Sequence, residues 1–169
     1  RSSCFSSTIT SIAARAIAAR LDELRAGPSD LAICGGACGG DILFAEACLA
    51  RDVKLQIHIQ FEEPEFLSAS VSFAGVQWAE RYDQLKAHPN TVLLVQPDEL
   101  GPLPRGGDPY ERNNLWQLYT AISHGPEQVR LISLWDGETG DGPGGTKHMV
   151  QTVEQHAGRV YILDTHSLW

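Results

Sequence analysis

Leu31-Ala32-Ile33-Cys34-Gly35-Gly36-Ala37-Cys38-Gly39-Gly40-Asp41-Ile42-Leu43-Phe44-Ala45 is the stretch that decides the fold of this chain. A short apolar run is followed by four glycines in six positions and then by an amphipathic segment. That order reads as strand, glycine turn, helix. Glycines there let the backbone take φ > 0 and approach a ligand without a Cβ in the way. The helix that follows has unpaired N–H groups and a positive dipole end, which suits a phosphate. A second loop, Asp141-Gly142-Pro143-Gly144-Gly145-Thr146, repeats the arrangement near the C-terminus.

Working outward, Ile9, Ile12, Ala13, Ala16, Ile17, Leu21 and Leu24 recur at helical spacing, and Gly27-Pro28 stops that helix. Val53 to Ile59 alternates as a second strand, and residues 61–67 read as a loop leading into a short helical turn. Val76, Trp78, Ala79, Tyr82 and Leu85 mark a helix, and Thr91 to Val95 a third strand. Residues 96–109 are rich in Pro, Gly and Asp and read as a long loop. A helix over Tyr110–His124, a strand over Val129–Trp135, a helix over Gly145–His156 and a strand over Arg159–Leu163 complete the chain. Helices alternating with short apolar strands predict the α/β class: a Rossmann-like three-layer α/β/α sandwich around a parallel sheet of about five strands. The expected organisation is a flexible segment over 1–8, one domain over 9–165 and a tail over 166–169. In such folds ligands sit beyond the carboxyl ends of the strands, where both glycine loops fall.

Composition narrows the function. The chain has 169 residues, 43% of them hydrophobic, and a formal net charge of −8. Its 13 basic residues are scattered, which argues against a nucleic-acid or anionic-membrane binder. No segment has a signal-peptide pattern or the length of a membrane span, so a cytoplasmic setting is expected. Cys34, Cys38 and Cys48 fall on a strand end and a helix face, where small apolar residues pack; Cys38 at a helix start could also be a reactive thiol. Neither the four cysteines nor the six histidines show ligand spacing, so no metal is expected, and no cofactor is called for. The chain opens on Arg1, which suggests a fragment or one domain of a longer protein.

The candidate ligand contacts are Gly35, Gly36, Gly39, Gly40 and Asp41 on the first loop, and Gly144, Gly145 and Thr146 on the second. Asp41 suits a helix cap as well as a ligand. Thr146 can cap its helix or donate its hydroxyl to a phosphate. Asp136, directly after a strand, suits ribose hydroxyls. Arg112 offers a planar donor fork to a phosphate, with Asn113 beside it. The first loop lacks the Gly-Lys-Ser/Thr of a P-loop and the Gly-x-Gly-x-x-Gly dinucleotide spacing. His58-Ile59-Gln60 holds no acid to bind a ribose after the second strand. Glu62, Glu63 and Glu65 crowd the loop after the second strand, a place that suits either an acid–base carboxylate or simply a charged loop. No Gly-x-Ser-x-Gly elbow is present.

Together the two loops resemble the SLOG superfamily, Rossmann-like domains named for DNA-processing and LONELY GUY proteins. Cys34-Gly35-Gly36-Ala37-Cys38-Gly39-Gly40-Asp41 looks like its first glycine loop, and Pro143-Gly144-Gly145-Thr146 like its second. The resemblance covers roughly residues 9–165. The phosphoribohydrolase branch reads Pro-Gly-Gly-x-Gly-Thr-x-x-Glu at the second loop. Here the loop is shorter, and Met149 stands where the catalytic Glu would fall. The family's strand before the first helix also has no clear counterpart. The resemblance therefore implies the sensor branch: a domain binding a nucleotide or ribose-phosphate-derived small molecule at both loops, fused to effector domains in a longer protein, with no catalytic residue assigned. Two alternatives stay open. One is a nucleotide N-glycosidase using Glu62, Glu63 or Asp136. The other is a structural module that self-associates as a homo-oligomer without ligand.

Overall fold

A computed structural model of the chain describes residues 7–138, 144–156 and 158–169. They divide into two compact units, one ending at Leu100 and one running from Gly101 to Trp169. The sequence reading expects one domain over 9–165. The boundary falls at Gly101-Pro102-Leu103-Pro104-Arg105-Gly106-Gly107, a run with no apolar periodicity to carry a core across it.

The first unit contains α1 (Ser7–Glu23), β1 (Leu31–Cys34), α2 (Gly40–Leu49), β2 (Lys54–Ile59), α3 (Glu63–Ser70), α4 (Val76–Ala87), β3 (Thr91–Val95) and α5 (Gln96–Leu100). Helix α1 buries Ala13, Ile17 and Leu21, spaced four apart and so on one stripe. It packs on α2. Arg51 clamps the two: its Nε and Nη2 donate to Asp22 Oδ1 at 2.9 and 2.7 Å, Nη2 to the Ala18 carbonyl at 3.0 Å, and Nη1 to the Ala47 carbonyl at 2.7 Å.

The strands β1, β2 and β3 form a parallel sheet in that order. Cys34 pairs with Ile57, and Ile59 with Val95. Central β2 is buried on both faces at its carboxyl end, where Ile57, His58 and Ile59 are inaccessible. A strand with cover on both sides needs such a continuous run rather than strict alternation.

The second unit contains α6 (Pro109–Ile122), β4 (Arg130–Trp135), α7 (Thr146–Gln155), β5 (Arg159–Asp164) and α8 (Thr165–Leu168). Asp108 caps α6 by accepting from the Glu111 amide at 2.8 Å, and Pro109 fills the first turn, where its missing N–H costs nothing. Strands β4 and β5 pair in parallel from Arg130↔Arg159 to Trp135↔Asp164. Leu118, Val129 and Val153 form the core of this unit, with Leu131, Met149 and Val160 packed against it.

The α/β class and the parallel pairing hold. The five strands stand in two sheets, of three and two, rather than in one five-stranded sheet. Three local expectations change as well. Residues 63–70 form a full helix, because Pro64 sits in the first turn and Glu63 and Glu65 complement the dipole. Helix α5 takes the start of the expected long loop, and α8, capped by Asp164, takes most of the tail. Of the expected flexible segment, residues 1–6 lie outside the described residues, while Ser7 and Thr8 already belong to α1.

Candidate functional site

The first glycine loop leaves the carboxyl end of β1 and opens α2. Gly36 has φ +71° and is buried; a Cβ there would lie 2.6 Å from Ile57 Cγ2 and 3.5 Å from Tyr82 Cε2. Gly39, with φ 96° and ψ −124°, is the N-cap of α2 and brings no side chain to cap it. The Cys38 amide donates to the Ser70 carbonyl at 2.9 Å, tying the turn to the end of α3.

Asp41 turns back into the loop. Its Oδ2 accepts from the Ala37 amide at 3.2 Å, and the Gly35 amide also favours its charge. Asp41 keeps a little solvent exposure, yet the protein packed around it removes enough water to raise its pKa above the ordinary carboxylate range. The two amides oppose that rise without cancelling it. The loop's Gly35 and Ala37 amides are therefore already engaged by a carboxyl group of the chain itself. Beneath it, burial first and the Asp41 charge second push the Cys34 thiol well above its usual range. Burial likewise raises Cys48 to about 12, so both sulfurs are packed, neutral thiols.

Behind the loop, Phe66 and Tyr82 pack with their rings tilted at 44° and their centroids 5.8 Å apart. Burial raises the Tyr82 hydroxyl, helped by the neighbouring Glu63 carboxylate. Glu63 itself receives Lys86 Nζ at 2.6 Å, whereas Glu62, the N-cap of α3, and Glu65 in its first turn are exposed. His58 is buried in β2, and its Nε2 lies 3.1 Å from Gln56 Oε1. Loss of water lowers its pKa to about 4.

The second unit carries the other expected contacts. Gly144 has φ +83°, and a Cβ there would lie 2.5 Å from the Glu111 nitrogen and 2.6 Å from Tyr110 Cβ. Asn114 Nδ2 donates to the Gly144 carbonyl at 2.6 Å, so the end of the second loop is fixed to the first turns of α6. Gly145 is the N-cap of α7 and gives no side-chain cap to the helix that Thr146 begins. His148 Nε2 stands 3.5 Å from Glu111 Oε1. Arg112 spends both Nη1 and Nη2 on the Gly101 carbonyl at 3.1 Å, and Asn113 is buried. Asp136 is exposed and accepts from the Glu138 amide at 2.9 Å, a local turn at the end of β4. Asp141, Gly142 and Pro143 lie outside the described residues. Met149 packs on the apolar core, the role its side chain suits.

Gly35, Gly36, Gly39, Gly40 and Asp41 are thus brought together in one unit. Gly144, Gly145 and Thr146 adjoin Asn114 in the other. Sequence reasoning missed Gln60 and Gln96, both buried, which directly follow β2 and β3. The signal was a polar residue after a run of apolar ones at the carboxyl end of a strand. Among the described residues no group of three or more His, Cys, Asp or Glu is placed to hold a metal, and no helix is long and apolar enough to cross a membrane.

No protein-family model matches the chain, and no curated protein matches it. A solved structure of cystathionine beta-synthase from Bacillus anthracis aligns over 92% of this chain and 64% of its own, with 13% identity and a TM-score of 0.25. The chain spans less than two thirds of that neighbour's length, and so loose a superposition carries no argument about fold or function.

Proposed function

We propose that this chain is a ligand-binding domain of sensor type, on a Rossmann-like framework of the SLOG kind, for a nucleotide or ribose-phosphate-derived small molecule. The observation that carries the reading is the first loop. It lies at the carboxyl end of a parallel strand, opens a helix with a glycine cap, and holds the Asp41 carboxylate against its own amides.

That carboxylate selects the chemistry. A phosphate placed at Gly35–Ala37 would find the Gly35 and Ala37 amides already engaged by the Asp41 carboxyl group. A hydroxyl would find an acceptor on Asp41 and carbonyl groups nearby. The ribose is therefore the part of the ligand this loop suits.

Isothermal titration with nucleoside monophosphates, cyclic ADP-ribose-type compounds and ribose 5-phosphate tests the reading. Saturable binding is expected, weakened at least about tenfold by Asp41→Asn or by replacing the ribose with 2′,3′-dideoxyribose, since each change removes a charge-assisted hydrogen bond. No binding across the panel by folded protein refutes it.

A further inference from the structure

Gln96 is 1% exposed, and its Nε2 has no hydrogen-bond partner among the described residues. Buried polar groups are almost always paired, so an orphaned primary amide in the interior calls for a reason. Its position supplies one. Gln96 directly follows β3, and Gln60, 6% exposed, directly follows β2. Ile59 pairs with Val95 at the end of the ladder, so each glutamine is the first residue after one member of that pair, and Gln96 also opens α5. Both therefore stand at the carboxyl edge of the three-stranded sheet, where the glycine loop leaves β1. Strand β3 lies two spacings from β1, roughly 9–10 Å, a separation that a nucleoside can bridge.

We propose that Gln96, with Gln60 beside it, reads the base of the ligand. This rests on the proposed nucleotide-binding function and adds its specificity-determining residue. A primary carboxamide presents one donor and one acceptor side by side. That pair matches the donor–acceptor edge of a nucleobase, the geometry by which glutamine and asparagine recognise adenine. Without ligand the amide is shut in and its N–H unpaired. A base ring nitrogen or carbonyl would supply the missing acceptor once the side chain turns outward. A bare sugar phosphate would leave the amide as it is. The site therefore distinguishes nucleotides from ribose 5-phosphate through one side chain remote from the glycine loop.

The test compares wild type, Gln96→Leu and the equally long Gln96→Met. Calorimetry is run with the four nucleoside 5′-monophosphates and with ribose 5-phosphate, and melting is recorded without ligand. Wild type is expected to bind at least one nucleotide more tightly than ribose 5-phosphate. Both variants should lose that preference, by about tenfold or more for a buried hydrogen bond, while binding ribose 5-phosphate unchanged. Both should also melt at or above the wild-type temperature, since they remove an unsatisfied buried donor. Unchanged nucleotide preference in a folded variant overturns the proposal. So does an equal loss of both ligand classes, or a lower melting temperature in both variants, which would make Gln96 a structural residue. Wild type that binds ribose 5-phosphate as well as any nucleotide overturns base reading and leaves the ligand-binding function standing. Wild type that binds nothing overturns both.

Discussion

Replacing Gly36 by alanine isolates the contact on which the first loop is built. Two costs add. The residue stands at φ +71°, where an L side chain is strained by about 1–2 kcal/mol. The new Cβ also arrives 2.6 Å from Ile57 Cγ2, against the roughly 3.5–4.0 Å of an ordinary carbon contact. Ile57 is inaccessible in the central strand and has no room to retreat, so overpacking adds about 1–3 kcal/mol. Gly36→Ala should therefore cost about 2–5 kcal/mol in urea unfolding followed by far-UV circular dichroism. Gly106→Ala is the control for backbone strain alone: φ is +79°, and no atom lies within 4 Å of the added Cβ. It should cost about 1–2 kcal/mol. Ile57→Ala removes Cγ2, so Gly36→Ala should cost about 1–3 kcal/mol less in that background than in wild type. The reasoning is refuted if Gly36→Ala costs no more than Gly106→Ala, or costs the same in both backgrounds.

Three further outcomes follow from the same structure. Burial holds His58 near 4, below the ordinary histidine value of about 6.5; the unfolded chain takes the proton first, so stability is full above about pH 6.5 and falls between about 6.5 and 4, by up to about 3 kcal/mol. Urea titrations of wild type and His58→Leu across that window should show the loss only in wild type. Asp41 has the opposite slope, because its folded pKa is raised: the fold binds the proton more tightly than the unfolded chain, so Asp41 adds stability as pH falls through the raised value toward the ordinary carboxylate range. Asp41→Asn should remove that gain, and paired pH–stability curves of the two proteins measure it. Gly144→Ala should destabilise the second unit by about 2–5 kcal/mol, since its Cβ would strike the Glu111 nitrogen at 2.5 Å in a φ +83° backbone; a melting temperature within a degree of wild type would contradict this.

Periodicity made the strands and most helices legible. Leu31–Cys34 and Thr91–Val95 are apolar runs bounded by turn residues, and the structure makes them β1 and β3 unchanged. What escaped depends on contacts between segments far apart in sequence. Composition offers no warning that Glu63-Pro64-Glu65 starts a helix rather than a loop; the proline reads either way until its neighbours are known. The count of five strands could be read from the sequence, whereas their separation into sheets of three and two depends on pairings that no local pattern encodes.

The same limit applies at the site. The glycines of the first loop stood out, yet the reason Gly36 is glycine lies in Ile57, twenty-one positions away, and the reason Gly144 is glycine lies in Glu111 and Tyr110. Arg112 looked available as a charge partner because sequence does not show that its fork meets the Gly101 carbonyl. Asp41 was visible as a helix-opening acid. Its grip on the loop's own amides, on which the proposed preference for a hydroxyl over a phosphate rests, required the structure.

That claim is tested most directly by two-dimensional amide NMR of the isotopically labelled chain, titrated with adenosine 5′-monophosphate and with its 2′,3′-dideoxy analogue. The predicted result is saturable shifts at the Gly35, Ala37, Gly39 and Gly40 amides with the ribose compound, and much weaker shifts at the same amides with the dideoxy compound. Equal shifts with both compounds, or saturable shifts that leave residues 35–41 untouched, would contradict it.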